Sequence, residues 1–159
     1  MSVRYVVPDP ITWALGDVFA FELADGSHAY GQVVGEYPLG KTSRQATCAL
    51  LDHRTTAREP TIENLRRPRV LAVLHVKEGH LTAGEWPIIG HLQPMAEPYS
   101  GPCGHPFQTG GRSWDGLETL ANAYFGLAPW NAFHKDDYLD AFLLPGIVRP
   151  AAVVIVNKP

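Results

Sequence analysis

The stretch DVFAFELADGSHAYGQVV, residues 17–34, constrains the fold more than any other part of the chain. Two apolar, aromatic-rich runs flank Asp25-Gly26. Asp and Gly both tolerate the positive φ of a tight turn, so the segment reads as an antiparallel hairpin. A two-residue loop at Asp25-Gly26 sets Leu23 against His28, Phe21 against Tyr30 and Phe19 against Gln32. The other side then pairs Glu22 with Ala29, Ala20 with Gly31 and Val18 with Val33. One face would be large and aromatic, the other small. A three-residue loop would shift the whole pairing, because strand side chains alternate with a period of two.

Further strands are expected over residues 46–51, 70–76, 86–92 and 152–156, with the second and third of these forming another hairpin around Gly79 and Gly84. Residues 60–66 read as a short helix, since Pro60 is tolerated in a first turn. Asp115 and Glu118 have the spacing of a capping box. Leu117, Leu120, Ala121, Tyr124 and Phe125 follow as one apolar stripe that Gly126 ends. Asp136 caps a second helix, with Leu139, Phe142 and Leu143 inward and Pro145-Gly146 as its stop. Residues 97–113 are rich in Gly and Pro, a composition typical of functional or mobile connections. Strands early and helices late predict an α+β class. The expected architecture is a strongly twisted, partly closed antiparallel sheet with two C-terminal helices packed on it, in one domain over 1–159.

Composition narrows the function classes. A chain of 159 residues buries roughly 70% of its unfolded surface. The formal net charge is -3, without the basic footprint of a nucleic-acid binder. No apolar run approaches the roughly 18 residues of a membrane span, and the N-terminal MSVRYVVPDPITW lacks a signal-peptide core. A soluble, cytoplasmic protein is expected, with neither nucleic acid nor membrane as partner. Cys48 and Cys103 form no Cys-x-x-Cys pair, so no structural zinc and no other cofactor is expected. Oligomeric state is left open.

Several chemical patterns compete. GEYPLGKT, residues 35–42, matches the phosphate-binding loop of nucleotide hydrolases. A working loop follows a parallel strand and opens into a helix whose N-terminus holds phosphate. Here the preceding strand is a hairpin arm, and CALLD comes too soon for a crossover helix. Nucleotide binding therefore ranks last. The histidines, His28, His53, His75, His80, His91, His105 and His134, show no His-x-His or His-x-x-x-His spacing. His75 and His91 end strand-like runs and could meet in space. No Gly-x-Ser-x-Gly elbow is present, and Cys103 near His105 lacks the electropositive niche of a nucleophile. Trp86, Trp114 and Trp130 sit beside polar residues, where amphipathic rings favour interfaces and pocket walls.

Three blocks carry a family resemblance: GDVFAFELADGSHAYGQVV (16–34), LTAGEWPIIGHLQP (81–94) and GLAPWNAFHKDDYLDAFLLP (126–145). Together they resemble the immunity protein 26 / phosphotriesterase HocA family. The resemblance implies a non-enzymatic antitoxin that binds and neutralises a cognate bacterial toxin. Its alternative is a small organophosphate hydrolase drawing on Asp17, Tyr30, His28, His75 and His91. For a binding surface, the late block offers Trp114, Trp130, Asn131, His134, Asp136 and Asp137, whose acidic pair would suit a basic toxin. For a pocket, Asp17, Tyr30, Gln32, Trp86 and Trp130 would line the large face of the hairpin.

Overall fold

The computed structural model describes residues 10–39, 43–56, 59–97 and 116–158. Five strands, β1 (Asp17–Glu22), β2 (His28–Leu39), β3 (Ser43–Thr55), β4 (Val70–Lys77) and β5 (Ile88–His91), form one sheet in the order β4-β3-β2-β1-β5. Every pairing is antiparallel. Register shifts interrupt β1–β5, β2–β3 and β3–β4. Such bulges bend a strand and increase its twist. The sheet stays open, with β4 and β5 as its edges, and the α+β class and twisted, partly closed sheet expected from the sequence are what is found.

The first hairpin forms as expected, but its register is one residue away from the two-residue-loop pairing. Leu23 N–H donates to Ser27 O at 2.7 Å, so the loop holds three residues, 24–26. Gly26 takes φ +84°, the left-handed third position of such a loop. Asp25 fixes the turn by accepting from the Ser27 amide (3.0 Å) and hydroxyl (2.5 Å), and Arg54 pairs with its carboxylate. The Ser27 bonds, with Arg54, hold the Asp25 carboxyl below its ordinary range. Val18 now faces Gln32, Phe19 faces Gly31 and Ala20 faces Tyr30. The expected aromatic face is thus divided. Phe19 and Phe21 lie on one side, and Tyr30 and Gln32 on the other.

Phe19 needs the glycine opposite it. A Cβ on Gly31 would sit 2.4 Å from Phe19 Cζ. The Phe19 side of the sheet carries the larger apolar cluster, with Ala29, Val33, Cys48, Leu50 and Leu74. Helix α2 (Gly116–Tyr124) supplies Leu117, Leu120 and Ala121 to that cluster, and Gly126 at φ +79° ends the helical stretch. Burial raises the Cys48 thiol pKa well above its ordinary range. The opposite side carries a smaller cluster of Ala20, Tyr30, Val34, Ala49, Leu51 and Val73.

The second expected hairpin does not form. β4 pairs with β3, whereas β5 crosses to pair with β1 at the far edge. The connection contains the one-turn helix α1 (Gly79–Thr82), and it buries Leu81 and Trp86 in the larger cluster. The burial of these two side chains ties the link to the core, an interaction that short-range turn signals do not report. The expected helix over 60–66 is a 3-10 turn, Ile62–Asn64, and the second late helix is a 3-10 turn, Leu139–Phe142. Residues 152–156 join no sheet; they make one isolated parallel bridge, Pro129 to Val154. Among the described residues no helix is long and apolar enough to cross a membrane.

Candidate functional site

Five of the residues singled out from the sequence, Tyr30, Gln32, Trp86, Trp130 and Asn131, are buried. Tyr30 is fully buried, and its hydroxyl meets Thr55 Oγ1 at 2.6 Å. Trp86 is fully buried, stacks on both Phe19 and His80, and donates its indole N–H to Glu118 at 2.5 Å. Trp130 is fully buried and donates to Asp140 at 3.1 Å. The proposed five-residue pocket is therefore not assembled. Trp86 and Trp130 belong to the larger cluster, while Tyr30 belongs to the smaller one across the sheet. Gln32, two residues on in the same strand, faces as Tyr30 does. Asp17 accepts from the Ala14 amide at 2.8 Å and pairs with His91 at 3.2 Å.

The late block is half scaffold and half surface. Asn131 is buried; its amide donates to Val156 O (2.8 Å) and accepts from Val156 N–H (2.9 Å). That pairing holds the C-terminal segment against the block. His134, Asp136 and Asp137 are exposed. Lys158 pairs with Asp136 at 2.9 Å, and Arg149 approaches Asp140 at 3.8 Å. Lys135 adds a third cation, so the corner is charged but not strongly acidic. Trp114 lies outside the described residues.

His75 and His91 do not meet. They lie on β4 and β5, at opposite edges of the sheet, and His75 Nδ1 instead bonds Thr47 Oγ1 at 2.8 Å. Among the described residues no three His, Cys, Asp or Glu side chains gather as a metal-holding group. Residues 35–39 of GEYPLGKT lie in β2, which pairs antiparallel with β3, Leu39 against Ser43. Gly35 sits within β2 beside a register shift rather than in a loop. Strand β3 follows, so no helix N-terminus stands behind the pattern. Gly40, Lys41 and Thr42 themselves lie outside the described residues.

The surface with a built shape lies elsewhere, around LQPM, residues 92–95. Two open grooves flank Pro94 and Met95. One, of about 520 Å3, is lined by Leu65, Arg67, Pro68, Leu92, Gln93, Pro94 and Met95. The other, of about 480 Å3, is lined by Leu15, Val34, Pro94, Met95, Ala96 and Glu97. The shared wall is held by Gln32. Its Nε2 donates to the carbonyls of Gly16 (3.3 Å), Leu92 (3.0 Å) and Gln93 (2.9 Å), and its Oε1 accepts from Met95 N–H (2.8 Å). A fully buried amide satisfied this completely is a rigid strut. The sequence singled out Gln32, but for a different pocket, and did not single out Arg67 or Met95. The available signal was the pair of prolines, Pro68 and Pro94, bounding short mixed runs.

The chain is thus a small antiparallel-sheet protein whose described surface offers two open grooves and a charged corner. Residues 14–102, more than half of the chain, match the sequence model of the family described as Immunity protein 26, and the chain belongs to that family. The matched span holds all five strands and both grooves. No curated protein and no solved structure matches the chain.

Proposed function

We propose that this protein is an antitoxin that binds and neutralises a cognate toxin of a bacterial polymorphic toxin system, and does so in the cytoplasm of the producing cell. Membership of the Immunity protein 26 family carries the reading. Neutralisation of this kind requires a complementary surface and no chemistry of its own. The late corner contributes to encounter: His134, Asp136 and Asp137 are exposed, and Asp137 has no ion-pair partner among the described residues. Charges at an interface rim act chiefly on association rate.

Co-expression tests the reading directly. The toxin encoded beside this gene should arrest growth alone and fail to do so when this chain is present, and the two proteins should co-elute. Growth arrest that persists beside well-folded chain rejects the proposal. Reversing both Asp136 and Asp137 to Lys should slow association about two- to ten-fold at low salt and leave dissociation nearly unchanged. An association rate that does not move removes this corner from the interface.

A further inference from the structure

We propose that the groove between residues 65–68 and 92–95 is a peptide-anchoring site. It takes one apolar side chain from an extended segment of the partner, with a neighbouring carboxylate held by Arg67. This inference rests on the toxin-binding reading and names where, and with what chemistry, the partner is gripped.

Three observations converge on the groove. Its volume of about 520 Å3 is walled by Leu65, Pro68, Leu92, Pro94 and Met95, so an apolar group gains by entering. Met95 is an adaptable wall, because a thioether chain repacks around different shapes. Among the described residues, Arg67 is the only charged side chain lining the groove.

The state of Arg67 gives the charge preference. Arg54 is paired with Asp25, and Arg69 donates to Asp52 at 2.9 Å. Arg67 is exposed and has no such carboxylate among the described residues. Its backbone has φ +27°, and it is the sole described non-glycine residue at positive φ. That conformation is disfavoured for a bulky residue, and Pro68 restricts it further. Strain of this kind persists where the surrounding structure over-determines it, and it concentrates at ligand clamps. A planar guanidinium favours a carboxylate through two parallel N–H donors.

The third observation is rigidity. Gln32 pins the backbone of Leu92, Gln93 and Met95 with bonds of 2.8–3.0 Å. A wall fixed before the partner arrives lowers the ordering cost of binding. Gln32 is thus a positioning residue for this groove.

Sequence provides an unusually clean probe. The chain has two methionines, Met1 and Met95. With methyl-labelled methionine, the Met95 resonance reports on the groove in the full-length protein. Three blocked peptides that differ at one position, with Leu followed by Asp, Asn or Lys, are titrated in turn. The Leu-Asp peptide should shift Met95 saturably, and the Asn and Lys peptides should bind about five-fold more weakly. Arg67→Gln should erase the difference among peptides, and Arg67→Lys should keep most of it. An unmoved Met95 overturns the inference, as does equal binding of the three peptides. A Met95 shift that follows protein concentration alone also overturns it, since a second copy would then be the occupant. The toxin supplies the separating arm. If it co-elutes with the chain without moving Met95, the groove assignment fails and the toxin reading stands. If it does not bind while the Leu-Asp peptide does, the toxin reading fails and the groove remains a peptide site.

Discussion

Gln32 sits at a position where a strand facing the smaller cluster would ordinarily place an apolar residue. Val18 and Val34 do so beside it, and both are buried. An amide there is tolerable only because each polar atom has a backbone partner, since an unsatisfied buried group costs about 1–3 kcal/mol. Gln32→Leu keeps the volume and removes the bonds, leaving Leu92 O, Gln93 O and Met95 N–H to find water. The expected loss is about 1–3 kcal/mol in urea denaturation with an unchanged m-value. The Met95 methyl signal should broaden as the wall loosens. A variant as stable as the parent with a sharp Met95 signal would show that the strut is dispensable. The sequence pointed to Gln32 as notable but not to its role, because its partners lie about 60 positions away along the chain. Arg67 was invisible for a related reason: a positive φ at an arginine leaves no compositional trace.

Elements built from local signals were legible, and those built from distant contacts were not. Asp25-Gly26 announced the first hairpin correctly. It did not announce the loop length, which depends on the Leu23–Ser27 bond and on where Gly26 falls in the turn. One residue of slip was enough to put Tyr30 and Phe21 on opposite faces. β5 was read as the partner of β4 from proximity in sequence, yet it completes the far edge beside β1. The C-terminal segment shows the same limit. Its run of Val and Ile suggested a strand, but it is attached by one bridge, by the two bonds of Asn131, by Lys158 to Asp136 and by Val153 against the larger cluster. Ile155 remains 53% exposed, so the Asn131 pair is the main polar tie at Val156. Asn131→Ala should therefore cost about 1–2 kcal/mol and release the segment. Hydrogen exchange at Val156 should accelerate while amides in β2 and β3 keep their protection. Equal acceleration throughout would mean that Asn131 supports the whole domain rather than its tail.

At the scale of the whole molecule, the family-matched span and the folding unit do not coincide. Residues 14–102 hold all five described strands, yet one face of the sheet is covered by side chains from beyond that span. Leu117, Leu120, Trp130, Leu139 and Phe142 are all buried in the larger cluster. Burying a side chain of this size contributes about 1.5–3 kcal/mol, so the five together contribute on the order of 10 kcal/mol. Native domains are stable by only about 5–15 kcal/mol in total. A chain ended after residue 102 should consequently lose its cooperative fold, exposing Phe19, Cys48 and Leu50 on the uncovered face. Its amide spectrum should collapse to poor dispersion, and it should bind ANS as expanded states do. A truncated chain with a dispersed spectrum and a sharp urea transition would show that the sheet and its smaller cluster suffice. The late block would then be an addition to the family fold rather than its cover. In the expected case, the corner of His134, Asp136 and Asp137 is carried on residues needed for folding. Charge reversal on that exposed surface, and not deletion, is then the means of separating its part in binding from its part in stability.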